Sequence, residues 1–491
     1  MSCHDVLILG GGTAGCVLAS RLSEDPGREV CLVEGGPDYG PRRSGRWPPE
    51  LVDVRGIAST HDWTDAGGSL QVARVIGGCS AHNLGFWVHP ARADWDEWVA
   101  ATGDDGWSAD AIAPAIRRVE ERMPLRLASG SDVNPWLATL MEAAEEVGLP
   151  SGPDVNELDE GVAPVPLNAD GTTRWNAAFA YLDEARGRPN LTIVDRALVD
   201  RVHLDGDRAA GAVVQTENGQ ESITAALVVV ASGAYGSPAI LLRSGIGPAE
   251  ELRRHGVEQR AELPVGTRLR DHIAVRFRLA PSDSMQTRIE EFEARAEGFV
   301  VQGLLKGRSS HCPEGLWDLH GVILAIPAAD GGFPERGGHV LGLSSSLVKP
   351  RWTGTVRLRS ADPATLPEVT PHGFGTEPDM RCVLDGLELC RRLAEAPAAR
   401  DAWTEQLAPD PALDEDGLRR YCDGNALPYF HPVGTCAMGR PDDGVSTVDG
   451  SGRVHGIEGL RVVVASIMPA IPRANTNMPT FVLAERIAES A

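Results

Sequence analysis

Residues 5–34, DVLILGGGTAGCVLASRLSEDPGREVCLVE, decide how the chain begins to fold. A short apolar run is followed by Gly10, Gly12 and Gly15, then by a helix-like stretch to Ser23 and a second apolar run that ends at Glu34. Glycines spaced G-x-G-x-x-G between a strand and a helix are typical of a dinucleotide-binding βαβ unit. The first glycine permits a tight turn, the second lets a pyrophosphate approach the backbone, and the third lets helix and strand pack closely.

The helix after these glycines would hold the pyrophosphate of such a cofactor. Its free N–H groups and the positive end of its dipole favour an anion. Glu34 lies 19 residues after Gly15, a distance that places a carboxylate at the ribose diol. The alternative is a glycine-rich turn with only a structural role. We predict cofactor contacts at Gly10, Gly12, Thr13, Ala14, Gly15 and Glu34.

The chain after Glu34 distinguishes a flavin cofactor from a nicotinamide cofactor. A nicotinamide-binding domain would continue with further βα units, whereas this chain enters a stretch rich in Pro, Gly and Arg. A β-rich insertion with an Asn218-Gly219 turn occupies 191–226, and the apolar run 227–231 reads as a buried parallel strand. This discontinuous layout favours an FAD-binding fold.

Length and composition narrow the class of protein. A chain of 491 residues exceeds what one core usually supports, so we expect two domains or one large domain with an insertion. The net charge of −23 argues against nucleic-acid and anionic-membrane partners. Nine cysteines without a CxxC pair indicate neither a metal site nor a disulfide framework. Without a long apolar run or a basic start, we expect a cytoplasmic protein with no membrane insertion.

Longer motifs connect the chain with a known family. The stretch RVIGGCSAHN at 74–83, continuing to Pro90, resembles the first signature of the glucose-methanol-choline (GMC) oxidoreductases, and 233–247 resembles the second. FHPVGTCAM at 430–438 and NTNM at 475–478 resemble the catalytic ends of these flavin-dependent alcohol oxidoreductases. The motifs occur in the family's order and extend over the whole chain.

The resemblance implies an α/β (α+β) fold of the GMC type with two domains. A discontinuous, Rossmann-like FAD-binding domain would comprise residues 1–272 and 426–491, and the second of these segments would carry the catalytic residues. A substrate-binding domain of a sheet and helices would comprise 273–425. We expect a monomer or a homodimer.

The same resemblance assigns further residues to FAD. His82 matches a histidine that is bonded covalently to the flavin 8α-methyl group in the choline branch of the family, so His82 is a candidate tether. A histidine of the core or of the phosphate side is the alternative. Val464 departs from the aspartate that is common in the family, which puts one flavin contact in doubt. The other residues placed at FAD are Arg74, Gly77, Gly78, Asn83, Val199, Ala465, Asn477 and Met478.

His431 and Asn475 match the family's catalytic pair. In alcohol oxidation one group takes the hydroxyl proton while hydride leaves carbon for flavin N5, and another group holds the oxygen. Because an amide is not a base, the resemblance assigns proton acceptance to His431 and oxygen positioning to Asn475. Phe430 would supply an aromatic wall. Lys349, by a gapped alignment, would stand at the substrate and repel a cation such as choline.

The sequence therefore predicts FAD-dependent oxidation of a small primary alcohol to an aldehyde, with onward oxidation to the acid left open. The electron acceptor is either O2, in an oxidase, or a quinone or other carrier, in a dehydrogenase, and the motif around His82 favours the oxidase. A hydroxynitrile lyase of the same fold, which uses the histidine without redox chemistry, is another alternative. A disulfide or NAD(P)H-dependent flavoreductase would need a cysteine pair or a second fingerprint, and the sequence has neither.

Overall fold

The computed structural model describes residues 3–56, 58, 60–65, 68–295, 301–370 and 373–490. These residues form two large β-sheets, several short strand pairs and helices of varied length. The α-helices are Thr13–Leu22, Pro49–Val52, Arg92–Thr102, Ala109–Glu120, Pro135–Glu146, Asp183–Ala185, Gly233–Arg243, Ala249–Arg254, Asp283–Glu293, Glu377–Glu395, Pro397–Arg400, Glu415–Gly424 and Asn477–Ala488.

The first large sheet carries the dinucleotide unit. Cys3–Leu9 is a central strand and pairs in parallel with Val30–Val33 on one side and with Gly219–Val230 on the other. The side chains of Val30–Val33 are all buried, as a continuous apolar run predicts for a parallel strand covered on both faces. In spatial order the strands are Leu198–Asp205, Arg208–Thr216, Gly219–Val230, Cys3–Leu9, Val30–Val33 and Leu191–Val194, and Leu460–Val462 also pairs with Gly219–Val230.

The insertion predicted at 191–226 belongs to this sheet. Arg208–Thr216 and Gly219–Val230 form an antiparallel hairpin whose turn lies at 217–218. Gly219–Val230 is a single strand of 12 residues, and from Thr224 onward it pairs in parallel with Cys3–Leu9. The strand predicted at 227–231 is therefore the far end of the hairpin strand and not a separate element.

The second large sheet is antiparallel throughout. Helices Pro135–Glu146 and Glu377–Glu395 pack against it, and their apolar side chains form one core with those of the strands. In spatial order the strands are Trp403–Ala408, Ile273–Pro281, His339–Leu347, Leu319–Pro327, Val301–Gly307 and Gly161–Pro164, and Leu427–Pro428 also pairs with Ile273–Pro281.

The chain is not divided between the two sheets as the sequence suggests. Trp136 and Leu140 of helix Pro135–Glu146 lie in the core of the second sheet, and strand Gly161–Pro164 pairs with Val301–Gly307. Part of the segment 1–272 thus builds the domain predicted for 273–425. A strand of four residues has no periodic signal that says which sheet it joins, so this pairing is decided by tertiary contacts.

The helix Asn477–Ala488 returns to the first sheet and packs against Thr13–Leu22. Pro479 lies in its first turn, where a missing N–H removes no helical hydrogen bond. The Tyr181 hydroxyl donates to Glu485 Oε1 at 2.8 Å and fixes the helix to the middle of the chain. None of the described helices is both long and apolar enough to cross a bilayer.

Candidate active site

The glycines of the opening loop are required for different reasons. A Cβ atom on Gly15 would lie 1.8 Å from the Gly10 carbonyl oxygen, and Gly10 itself has a φ of +113°, so the chain needs glycine at both positions. Gly12 has an extended backbone, with φ −76° and ψ −161°, and a Cβ there would only meet Gly78 Cα, at 3.8 Å. Nothing in the described part of the chain demands glycine at position 12. The space in front of it therefore suits a ligand such as a pyrophosphate.

Two neighbouring helices begin without a side-chain cap. Thr13–Leu22 follows Gly12 and Asn477–Ala488 follows Thr476, and neither preceding residue accepts a hydrogen bond with its side chain. The first-turn N–H groups and the helix dipoles are thus available to phosphate or to ring carbonyl oxygens. The Asn477 Nδ2 atom is also buried without a hydrogen-bond partner among the described residues. These donors fit the acceptor-rich pyrophosphate and isoalloxazine of FAD.

Glu34 lies at the end of strand Val30–Val33, where the ribose of a dinucleotide would bind. Its Oε2 accepts a hydrogen bond from Gly11 N and its Oε1 from Gly36 N, both at 2.8 Å. Burial raises the pKa of Glu34 to about 7, although these backbone donors oppose the shift. Each carboxylate oxygen keeps a further lone pair, so the carboxylate can still accept from a ribose hydroxyl.

The turn at Gly77 and Gly78 contacts the opening loop. Both glycines have a left-handed backbone, with φ of +92° and +54°, and a Cβ on Gly78 would come within 2.6 Å of Gly12 Cα. Gly77 N donates to the Gly11 carbonyl at 2.8 Å. Arg74, just before the turn, donates from Nε to the Gly35 carbonyl at 3.0 Å. The two predicted FAD motifs, 10–15 and 74–83, are therefore adjacent in space.

His82 lies at the end of this turn. Its Nε2 atom is 3.2 Å from Asp62 Oδ1. Burial lowers the pKa of His82, and the nearby Asp62 carboxylate opposes this shift. Asn83 uses its Oδ1 to accept from Gly85 N at 2.9 Å, which shapes the following turn.

His431 and Asn475 are brought together although 44 residues separate them. Asn475 Nδ2 lies 3.1 Å from His431 Nε2, and both side chains are buried. Burial lowers the pKa of His431 to about 3, so the imidazole is neutral at physiological pH. The backbone N–H of His431 donates to Asp271 Oδ1 at 2.7 Å and fixes the loop. The other ring nitrogen, Nδ1, lies 2.9 Å from Nδ1 of His272.

Two family models match the chain. Residues 4–274 match the N-terminal model described as GMC oxidoreductase, and residues 350–484 match its C-terminal counterpart. The chain belongs to the GMC oxidoreductase family. This membership confirms the predicted fold class, FAD as cofactor and FAD-dependent alcohol oxidation as the activity.

Named relatives of this GMC oxidoreductase span nearly its full length. It is 32% identical to a 5-(hydroxymethyl)furfural oxidase of Methylovorus sp. (strain MP688), with 99% of this chain and 98% of the relative covered. It is 31% identical to a choline oxidase of Arthrobacter globiformis, with 99% and 93% covered. The crystal structure of pyridoxine 4-oxidase from Mesorbium loti superposes with a TM-score of 0.87 at 26% identity, with 100% and 99% covered.

Phe430 directly precedes the histidine of the GMC pair and has an exposed side chain. Its backbone has a left-handed φ of +63°, and its side chain is 56% exposed. The ring centroid of Tyr429 instead lies 4.6 Å from that of His431, at an interplanar angle of 51°. Tyr429 therefore supplies an aromatic surface against His431, and the aromatic wall at Phe430 stays a prediction.

The ammonium group of Lys349 is bound by acidic residues and not by the catalytic pair, and its role at the substrate stays a prediction. Its Nζ atom donates to Glu97 Oε2 at 2.8 Å and lies 3.3 Å from Asp94 Oδ1. The described residues around the cavity that Lys349 lines include neither His431 nor Asn475. Two acidic residues of helix Arg92–Thr102 hold the ammonium group, and Arg473 shares both of them. These carboxylates offset the charge of the lysine in part.

Four polar residues near His431 were not anticipated from the sequence. Asp271 and His272 contact it directly, and Tyr429 packs on its ring. His320, on strand Leu319–Pro327, is buried with neither ring nitrogen hydrogen-bonded to a described residue, and burial, Lys306 and His431 hold its pKa well below the ordinary value. For Asp271, His272 and His320 the sequence offered one signal, a polar residue within or directly before an apolar strand, as in DHIAV and LHGVILAIP.

The remaining positions predicted for FAD are backbone or packing positions. The Val199 carbonyl accepts from Arg243 Nη2 at 3.2 Å, and Met478 is fully buried in the first turn of its helix. Ala465 begins the short 3-10 turn Ala465–Ile467 directly after Val464. Val464 is extended and its side chain is buried, so the position of the family's common aspartate is occupied here by an apolar contact. FAD contacts at these residues stay predictions.

Proposed function

We propose that this protein oxidises a neutral primary alcohol to an aldehyde, with His431 as the base and Asn475 as the donor to the alcohol oxygen. The supporting observation is the buried 3.1 Å contact between Asn475 Nδ2 and His431 Nε2. An alcohol oxygen within reach of both atoms would accept from Nδ2 while its own hydroxyl proton points to Nε2. Proton acceptance and oxygen positioning thus belong to different residues.

The protonation state of His431 supports its role as the base. Because burial lowers its pKa to about 3, the ring has a lone pair to offer at neutral pH. FAD, when bound, supplies the acceptor for the hydride that leaves the carbinol carbon. The O–H bond breaks as the Nε2–H bond forms, and Asn475 holds the oxygen throughout.

The groups around His431 favour a neutral alcohol over choline. Recognition of a trimethylammonium group relies on aromatic faces and negative charge. The carboxyl group that contacts His431 is that of Asp271, and burial raises its pKa to about 8, so it is mostly neutral at pH 7. Tyr429 offers an aromatic face, which also suits a hydroxymethyl group on a flat ring.

We propose O2 as the electron acceptor and His82 as a covalent tether of the flavin. The relatives named 5-(hydroxymethyl)furfural oxidase and choline oxidase support the oxidase assignment. At His82, Asp62 Oδ1 can accept the proton of one ring nitrogen at 3.2 Å, which leaves the other nitrogen unprotonated as a nucleophile.

The test is anaerobic flavin reduction with 5-(hydroxymethyl)furfural and choline as probes, followed by admission of air and measurement of hydrogen peroxide. His431→Gln should slow reduction by ~10²-fold or more, and Asn475→Ala by less, because the base remains. His203→Gln, at an exposed position, is the matched control. An unchanged rate of flavin reduction in fully flavinylated His431→Gln would refute the assignment of His431 as the base. Absence of flavin bleaching with both probes would instead favour a lyase-type reaction.

A further inference from the structure

His272 contributes to the site without belonging to the pair that faces the alcohol. It directly precedes strand Ile273–Pro281, it is fully buried, and its ring is nearly perpendicular to that of His431, at 83° with centroids 5.0 Å apart. Both of its nitrogens are engaged. Nδ1 lies 2.9 Å from His431 Nδ1, and Nε2 lies 3.0 Å from the Pro472 carbonyl oxygen.

The partners of His272 determine where its proton lies. A carbonyl oxygen can only accept, so Nε2, which faces Pro472, carries a proton. Burial, reinforced by the neighbouring His431, holds the pKa of His272 well below its ordinary value, so the ring is neutral and has no second proton. Its Nδ1 is therefore an acceptor. The proton in the 2.9 Å contact belongs to His431 Nδ1.

The same reasoning extends to His431. With its single proton on Nδ1, the neutral ring presents a lone pair at Nε2, where the donor Nδ2 of Asn475 lies at 3.1 Å. The contacts form one directional chain from Asn475 through His431 and His272 to the Pro472 carbonyl. The reverse direction is excluded because a carbonyl oxygen cannot donate.

We propose that His272 is a positioning residue that holds His431 in the tautomer protonated at Nδ1, so that Nε2 is the base, an inference that rests on the proposed function of His431. When the alcohol O–H bond breaks, the Nε2–H bond forms and the Nδ1–H bond stays intact, donating to His272 as a charge-assisted hydrogen bond. The chain of donors ends at the Pro472 carbonyl, which takes no proton. The proton therefore stays on His431 and leaves again from Nε2, on the substrate side.

The first test measures the tautomer in the holoenzyme. Long-range ¹H–¹⁵N NMR of protein labelled with ¹⁵N-histidine distinguishes the Nδ1–H form from the Nε2–H form, and His431→Gln identifies the signal of residue 431. We expect the Nδ1–H form at neutral pH. The Nε2–H form would overturn the proposal whatever part His431 plays in catalysis.

The second test compares two replacements of His272 by flavin reduction, with 5-(hydroxymethyl)furfural or choline as the probe, whichever reduces the wild type faster. His272→Leu removes the acceptor, whereas His272→Asn keeps an oxygen near the position of Nδ1. In Ser-His-Asp triads, losing the group that sets the histidine tautomer costs ~10⁴-fold in kcat. We expect His272→Leu to slow reduction by ~10²-fold or more at saturating probe, with probe affinity changed less than ~3-fold, and His272→Asn to recover to within ~10-fold.

The outcomes of these two tests bear separately on the positioning role of His272 and on the role of His431 as the base. A wild-type rate in His272→Leu, or equal slowing by Leu and Asn, overturns the positioning role. If His272→Leu fails to retain flavin, the NMR result and the Asn variant decide the question. An unaffected rate in His431→Gln combined with the Nδ1–H tautomer would refute the proposed function and leave the tautomer assignment intact.

Discussion

The substitution Gly12→Ala tests whether the glycine at position 12 is required for cofactor binding and not for folding. The backbone at position 12 is extended, so alanine is compatible with it, and the added Cβ meets only Gly78 Cα, at 3.8 Å. Alanine for glycine at a compatible position stabilises a protein by ~0.4–1 kcal/mol through the unfolded chain. The apoprotein of this variant should therefore melt at or slightly above the wild-type temperature.

The affinity of Gly12→Ala for FAD should fall, although the stability of the apoprotein should not. A methyl group in front of Gly12 prevents the pyrophosphate from reaching the N–H groups at the start of Thr13–Leu22. Losing one or two hydrogen bonds to a charged group costs ~2–5 kcal/mol. At ~1.4 kcal/mol for each factor of ten, FAD affinity should fall by about 30- to 4000-fold.

The assay uses His82→Ala as the parent, so that a covalent tether does not hide the equilibrium. FAD binding is followed by flavin fluorescence, and apoprotein stability by thermal unfolding. Gly15→Ala is the matched control: its Cβ would lie 1.8 Å from the Gly10 carbonyl oxygen, so it should destabilise the apoprotein itself, by ~1–3 kcal/mol or more. The reasoning is refuted if Gly12→Ala binds FAD like the parent, or if its apoprotein is destabilised as much as that of Gly15→Ala.

Three further outcomes are expected. After precipitation with trichloroacetic acid, flavin should stay with the peptide that contains His82, and its complete release would remove the covalent bond but not FAD binding. Flavin reduction should keep its rate between about pH 7 and about pH 5, because a base must be unprotonated and burial lowers the pKa of His431 to about 3. An ordinary histidine pKa of ~6.5 would instead give about a 25-fold fall over this range. Lys349→Met should lower the melting temperature, because Asp94 and Glu97 lose a partner, without changing the preference between neutral alcohols and choline. A shift toward choline in that variant would place the lysine charge at the substrate.

The parts of the fold that could be predicted are those with local signals. The strand, glycine loop and helix at 5–22 follow from apolar periodicity and backbone requirements that act within a few residues, and the hairpin turn follows from Asn218-Gly219. The placement of Gly161–Pro164 in the second sheet could not be predicted in this way. Its partner strand Val301–Gly307 lies far along the chain, and only tertiary packing selects it.

In the candidate site, too, the residues with local sequence signals could be predicted and those placed by tertiary contacts could not. Motifs marked His431 and Asn475, and the structure brings these two side chains together. His272 lies in no such motif, and its importance comes from a ring contact and a carbonyl that sequence spacing does not reveal. The gapped alignment at Lys349 could not reveal the acidic partners of its ammonium group, because they come from a helix more than two hundred residues earlier in the sequence. Long-range electrostatic partners are set by the fold and leave no local periodicity.

The packing of Asn477–Ala488 against Thr13–Leu22 has a consequence for how the enzyme is made. The glycine loop is synthesised long before the second helix N-terminus of the flavin site and Asn475. Domains generally fold as units while the chain emerges, and the first sheet here also waits for Leu460–Val462 to pair with Gly219–Val230. The flavin pocket is therefore completed only after synthesis has passed residue 488. A chain synthesised only as far as the first strands and the glycine loop therefore presents one of the two helix N-termini that face the flavin site.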